Sequence, residues 1–391
     1  MPTHTDPVQP VAPDTAPFCH DTRDGLDVLV IGAGQAGLAI AYHLKEAGLR
    51  FLVADAAAEV GSAWRNRWDS LTLFTPAQYD ALPGMTFPSP ADTYPTAAEV
   101  ADYLQTYATR FELPILLNTA VTRLARDGAG FAVHTTTGLL RARQVVVATG
   151  PFQTPVAPAI REALGRGVQQ MHSAEYRNPD QVGPGQVLVV GAGNSGRQIA
   201  LELAASHEVT LAVGTEALQL PQRMFGRDLF WWLLKSRLLT KSADTRVARR
   251  MRARGDLVIG SPLEDLREAG VDIRPRLIAA NDDEVTFADG SRSLPATVVW
   301  ATGFRPDYSW IDIPDVVTEQ GVDHERGITP VQGLTFIGLP WQHTRGSALL
   351  GFVRHDAAWL ARRIIAAANH RGDAEQPGDF AGASASSAAG R

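Results

Sequence analysis

The chain has 391 residues, 45 % of them apolar and 20 % charged, and carries a net charge of −6. It is long enough for two domains with cores of their own and too acidic for a general nucleic-acid binder. Its one cysteine, Cys19, excludes an internal disulfide, a Cys-based zinc site and a Cys-x-x-Cys redox pair within the chain, and makes the cytoplasm the expected compartment.

Residues 1–24 are proline-rich and poor in apolar side chains. They read as a disordered tail without the apolar core of a signal peptide. The first strand signal, Val28–Ile31, runs straight into Gly32-Ala33-Gly34-Gln35-Ala36-Gly37 and a helix signal. This is the pattern of a dinucleotide site. The helix N-terminus points free N–H groups and a positive dipole end at a pyrophosphate, and the glycines permit a tight turn and a close approach. The next strand, Phe51–Asp55, ends in an acid where the ribose hydroxyls are expected. A third strand, Val145–Ala148, leads into Ala148-Thr149-Gly150 and Pro151, where the chain leaves its sheet.

The pattern then repeats. Val187–Val190 precedes Gly191-Ala192-Gly193-Asn194-Ser195-Gly196, and Val209–Val213 follows as the second strand. That strand ends in Gly214, Thr215 and Glu216, with no arginine to take a 2′-phosphate; Arg223 and Arg227 come a few residues later and are the candidates. Alanine at Gly191 or Gly193 is expected to block the second dinucleotide and spare the first. The aromatic stretch Phe225–Leu239 is too short to span a bilayer and reads as a core helix, with a lid or membrane-touching patch as the other readings. The arginines of 246–254 read as a solvated helix face. Val298–Ala301 ends in a second Ala-Thr-Gly, Ala301-Thr302-Gly303, followed by Pro306. Phe336-Ile337-Gly338 leads to Pro340–Gly346, expected to open the final helix. Residues 373–391, rich in Gly, Ala and Ser, read as a second tail, and no apolar run is long enough for a membrane span.

Strands alternating with helices predict an α/β fold with two Rossmann-like dinucleotide-binding domains, the second inserted into the first. The boundaries expected are 25–155 with 300–372 for the first and 156–299 for the second.

Several motifs, in order, resemble the class B flavin-dependent monooxygenases: flavin-containing monooxygenases, the plant YUCCA type among them, and bacterial CzcO-like flavoproteins. Gly61-Ser62-Ala63-Trp64-Arg65 is similar to their Gly-Gly-x-Trp stretch, and Ser70–Pro83 to a YUCCA segment. His172-Ser173-Ala174-Glu175-Tyr176-Arg177 resembles the His-x-x-x-Tyr-Lys/Arg half of the monooxygenase fingerprint. Trp300-Ala301-Thr302-Gly303-Phe304 resembles its Phe-Ala-Thr-Gly-Tyr motif. The Phe-x-Gly that opens the fingerprint is replaced by Arg166 and Val168.

The resemblance implies FAD on the first loop and NADPH or NADH on the second. It implies a monooxygenase that uses O2, through a C4a-(hydro)peroxyflavin, to oxygenate a small organic substrate at N, S or a carbonyl carbon. The contacts expected around the first loop are Gly32, Gly34, Gln35, Ala36, Gly37 and Asp55, then Trp64, Arg65, Val121, Thr149, Gly150 and Gly338. Those around the second are Gly191, Gly193, Asn194, Ser195 and Gly196, then Arg223, Thr302 and Gly303. His172 and Gln342 are expected beside the site rather than in the chemistry, and no metal is expected. The other readings are an NAD(P)H:acceptor reductase without a disulfide and a non-catalytic redox-sensing flavoprotein. The reductases that share both loops usually carry Gly-Asp where this chain has Gly338-Leu339. A homodimer is left open.

Overall fold

The computed structural model describes residues 25–375 apart from 216, 254, 256 and 320. The tail at 1–24 with Cys19, residues 376–391, Glu216 and Arg254 therefore lie outside the described residues. Residues 373–375, assigned to a tail from composition, instead complete the final helix Val353–Glu375.

The strands form an α/β fold of Rossmann type around two main sheets. In the first, Ile115–Leu116, Phe51–Ala54, Leu26–Ile31, Gly138–Val147 and Leu334–Phe336 lie parallel in that order. Val28–Ile31 is buried on both faces, as expected for the centre of a parallel sheet covered by helices. The N-terminal half of Gly138–Val147 turns outward and pairs antiparallel with Gly130–Thr135, itself paired with Val121–Asp127. The helices Gln35–Glu46 and Val353–Glu375 pack on each other, and Ala97–Arg110 packs against the first of them. That third helix starts at a capping box: Glu99 N donates to Thr96 Oγ1, and Glu99 Oε2 accepts from Thr96 N at 2.8 Å.

The second sheet is wholly parallel, in the order Asp272–Arg274, Val209–Ala212, Val187–Val190, Thr297–Trp300 and Gln169–His172. After Thr297–Trp300 the chain returns to the first sheet through Ile311–Asp312 and Leu334–Phe336. The two crossing segments pair with each other, Phe304 against Pro155.

Both glycine loops leave the carboxyl edge of a central strand, where open α/β sheets bind ligands. Among the described residues no helix is long and apolar enough to cross a membrane.

Candidate dinucleotide sites

The two loops are built alike. Gly32 has φ +107°, and a Cβ there would come 2.7 Å from the Ala148 carbonyl oxygen; Gly191 has φ +109°, and its Cβ would come 2.4 Å from that of Ala301. Each Ala-Thr-Gly thus sits directly behind its own loop, which brings Thr149 and Gly150 to the first and Thr302 and Gly303 to the second. A Cβ on Gly37 or Gly196 would lie 1.8 Å from the carbonyl oxygen of Gly32 or Gly191. These four positions need glycine for the chain's own packing.

The middle glycines do not. Gly34 (φ −73°) and Gly193 (φ −74°) have ordinary extended backbone, and a Cβ on either would meet no heavy atom of the described residues within 4 Å. Each is the N-cap of a helix, Gln35–Glu46 and Asn194–Leu203, and offers no side chain to the free N–H groups. An uncapped helix start with open space above it fits an incoming pyrophosphate. By this test both loops fit a dinucleotide.

Around the first loop the sequence candidates converge. Asp55 stands one residue past its strand; its carboxylate accepts from Ala33 N at 2.5 Å and Ala57 N at 2.8 Å, which fixes it against the loop. Gln35 accepts from Trp64 Nε1 at 3.0 Å and donates to the Ala348 carbonyl at 3.2 Å. A Cβ on Gly338 would come 2.9 Å from that of Ala36. The segment leading to Val121 is tied to the acid by Thr119 N to Asp55 O at 2.8 Å. Arg65 is not brought in by its side chain: its guanidinium pairs with Glu59 at 3.0 Å and Asp102 at 2.9 Å on the surface. The 340–346 loop does not open the final helix, which begins only at Val353. Gln342, 4 % exposed, bonds the backbones of Leu339 and Arg326 and acts as a latch within that loop.

At the second loop, the Asn194 amide donates to Leu257 O and accepts from Ile259 N, both at 3.0 Å, while Ser195 is half-buried in the first turn. Arg197 was missed from sequence. It is 1 % exposed, and its guanidinium donates to Ala192 O (2.9 Å), Gln219 Oε1 (2.5 Å) and Ser261 O (2.9 Å). Arg223 lies elsewhere than expected, in the hairpin 223–228, where it contacts Gly226 O at 3.5 Å and neighbours Tyr94. The arginine at the end of the strand 209–212 is Arg276, which donates to Gly214 O at 2.7 Å and Thr215 Oγ1 at 3.3 Å. It comes from beyond the strand Asp272–Arg274, and no local motif announces it.

The fingerprint segment forms a strap between the two sites. Ala174 N donates to His172 Nδ1 at 3.1 Å, so the proton sits on Nε2 and donates to Gly303 O at 3.1 Å. Burial holds the imidazole below its ordinary pKa, in the neutral form this pairing needs. Tyr176, fully buried, donates to Glu202 at 2.7 Å. Arg177 reaches across to the carbonyls of Arg65 (2.9 Å) and Arg67 (2.7 Å) and to Asn66 Oδ1 (3.0 Å). These residues couple the second sheet to the segment after Trp64 rather than facing open space.

The 225–239 stretch is only partly core. Its helix is short, Leu229–Lys235, and Phe225 is 87 % exposed. Phe230 is buried and stacks on Phe74 (6.0 Å, 8°), with Phe352 at 6.1 Å. This makes an aromatic wall joining three distant segments. The arginines of the helix Arg246–Ala253 form an exposed face around buried Ala248, as expected.

Tyr79 lies beside Phe230 and Phe352, and the next residue, Asp80, is fully buried. Its Oδ1 accepts from Thr75 Oγ1 at 2.6 Å; Oδ2 has no partner among the described residues. Burial pushes its pKa up to about 7. Between the ordinary carboxylate range and that value the folded state holds a proton that the unfolded state has released. Stability therefore falls as pH rises through this window. The rise corresponds to roughly 4 kcal/mol. The amide of Asp80→Asn would leave one buried group unpaired, at about 1–3 kcal/mol. Asp80→Asn is expected to be about 2 kcal/mol more stable than the parent at pH 8 and no more stable at pH 4, measured by urea denaturation at both. Equal differences at the two pH values would remove the assignment.

Comparison with known proteins agrees with this geometry. Residues 29–228 match the family model described as pyridine nucleotide-disulphide oxidoreductase. The chain is 46 % identical over 342 residues to a CzcO-like oxidoreductase of Geobacillus kaustophilus, covering 87 % of this chain and 98 % of that protein. It is 30 % identical to the rice indole-3-pyruvate monooxygenase YUCCA8 over 75 % of this chain and 80 % of that one. The structure of a flavin-containing monooxygenase from Stenotrophomonas maltophilia superposes with a TM-score of 0.74 at 31 % identity, covering 88 % of this chain and 99 % of that one. With two dinucleotide loops of one design joined by a fingerprint strap, the chain belongs to the pyridine nucleotide-disulphide oxidoreductase family and is a flavin-dependent oxidoreductase.

Proposed function

We propose that the protein is an FAD-dependent monooxygenase that takes electrons from NADPH or NADH. One oxygen atom of O2 goes to a small organic substrate at N, S or a carbonyl carbon; the other leaves as water. Per turnover, substrate, O2, NAD(P)H and a proton give oxygenated substrate, NAD(P)+ and water. The observation that carries this reading is the pair of open, uncapped middle glycines, Gly34 and Gly193, which supports two dinucleotides held at once. The likeness to flavin monooxygenases supports the choice of reaction.

In this reading residues 25–155 and 300–372 form the FAD-binding domain and 156–299 the nicotinamide domain. Bound FAD supplies the two-electron chemistry toward O2. The protein's residues bind and orient. Gly32, Gly34 and Gly37 seat the FAD pyrophosphate; Asp55 accepts from ribose hydroxyls; Gly338 and Trp64 hold the neighbouring loops in register. Gly191, Gly193 and Gly196 seat the second pyrophosphate. The strap His172–Arg177 keeps the two sites in fixed relation. A single cysteine leaves no dithiol to relay electrons to a disulfide.

The test is turnover of FAD-loaded protein under 18O2 with sulfides, amines and ketones. The expected result is one 18O atom in the product for each NAD(P)H consumed. Release of hydrogen peroxide whatever substrate is offered, or rapid reduction of a quinone or ferredoxin-type acceptor without oxygenation, would overturn it in favour of a reductase.

A further inference from the structure

The two sites differ at one place. Each loop is closed by a backbone hydrogen bond, Gly32 N to Ala54 O (2.8 Å) in the first and Gly191 N to Ala212 O (3.0 Å) in the second. By these bonds the position of Asp55 in the first site is Val213 in the second. A valine cannot accept from the 2′- and 3′-hydroxyls of an adenine ribose, the interaction that favours a nucleotide without a 2′-phosphate.

Beside that position stands a cation instead. The strand Asp272–Arg274 pairs with Val209–Ala212, Ala212 opposite Arg274. Val213 N donates to the Arg274 carbonyl at 2.8 Å, extending the pairing past the strand end. This carries Arg276, two residues on, to the carboxyl edge of the sheet. Its guanidinium is held over Gly214 by Gly214 O and Thr215 Oγ1, and is exposed. A Cβ on Gly214 would be 3.8 Å from its Cζ. Arg274 is tied to Asp272 at 2.6 Å. Arg276 makes no ion pair within the described residues, and its remaining N–H groups suit bidentate contact with a phosphate.

We infer that Arg276 is a specificity-determining residue that binds the 2′-phosphate of NADPH, so that the second site takes NADPH in preference to NADH. This rests on the reading of the second loop as a nicotinamide site. The cation comes from the third strand of the sheet rather than from the end of the second, and Thr215 adds a hydroxyl beside it.

The test measures dissociation constants of NADP+ and NAD+ on FAD-loaded protein by titration calorimetry, independent of turnover. The parent is expected to bind NADP+ at least ~10-fold more tightly than NAD+. Arg276→Gln should weaken NADP+ by roughly 10- to 100-fold and NAD+ by less than about 3-fold; Arg276→Lys should recover part of the loss. Adenosine 2′,5′-bisphosphate, which carries the 2′-phosphate without nicotinamide, should follow NADP+. Equal weakening of both nucleotides by Arg276→Gln, tighter binding of NAD+ by the parent, or a selective loss of NADP+ in Arg223→Ala would each overturn the assignment. Gly193→Ala separates the underlying reading: it should weaken both nucleotides alike. If it weakens neither, the second loop is not their site and the inference falls with it.

Discussion

Gly34→Ala is expected to give a folded protein that has lost FAD and keeps its nicotinamide nucleotide, and Gly193→Ala the converse. Both positions have backbone angles any residue adopts, and an added methyl meets no described atom within 4 Å. The apoprotein should therefore stay folded and lose no more than about 1 kcal/mol, the cost of replacing glycine by alanine at a helix N-cap. What the methyl does meet is the ligand. A pyrophosphate accepting from the N–H groups of a helix start must approach the backbone to hydrogen-bond distance, about 2.9 Å, and a side chain at the middle glycine stands in that path. A loss of binding on the order of 100-fold or more at the substituted loop is expected, about 3 kcal/mol. The readouts are the ratio of flavin to protein absorbance after purification for Gly34→Ala, and nucleotide titration for Gly193→Ala. Loss of FAD from Gly193→Ala with an unchanged melting temperature would refute the assignment of loops to cofactors. Gly191→Ala, equivalent to Gly193→Ala in the sequence pattern, is not equivalent in the structure. Its φ of +109° and the 2.4 Å approach to Ala301 O would deform the crossing between the sheets, so it tests folding rather than binding.

Arg197→Ala is expected to destabilise the protein by about 2–4 kcal/mol, and Arg197→Lys by less, since an ammonium keeps part of the contact with the three acceptors. The guanidinium joins the loop carbonyl of Ala192 to Gln219 and Ser261. Truncation removes the buried donor of the Ala192 and Ser261 carbonyls, leaves Gln219 Oε1 with Leu263 N at 3.2 Å, and opens a void behind the loop. Thermal denaturation of the apoprotein should show a fall of about 5 °C. The nicotinamide site should weaken as its loop carbonyl is freed, while flavin content per folded molecule stays unchanged. A shift of under about 1 kcal/mol would show that water replaces the guanidinium without loss, and the anchoring role would go.

Arg197 and Arg276 show where reading from the chain stops. By loop closure Arg197 occupies the place of Leu38 in the first site, and Leu38 is fully buried among apolar neighbours. Helical periodicity marks both places as inward-facing but says nothing of three acceptors converging there, because Ala192, Gln219 and Ser261 come from separate segments. Arg223 was the nearer arginine in sequence, yet the 223–228 hairpin folds it back toward Tyr94. Arg276, much farther along, arrives because parallel strand pairing sets Arg274 opposite Ala212. Asp80 is similar: its backbone is covered by Gly351, where a Cβ would come 1.8 Å from Tyr79 O and 2.8 Å from Asp80 Cα, a contact between chain segments far apart.

What the sequence by itself determined was local. Runs of branched apolar residues ending in Gly-x-Gly-x-x-Gly encode strand, turn and helix within about a dozen residues, so both loops, Asp55 and the two Ala-Thr-Gly crossings were legible. The tertiary structure alone decided which of those glycines face open space and which face the chain, that His172, Gln342 and Asn194 hold backbone rather than ligand, and which arginine stands at the second site. The reason is physical: strand and helix formation follow from neighbours in sequence, whereas the charge at a strand end depends on which other strand lies beside it.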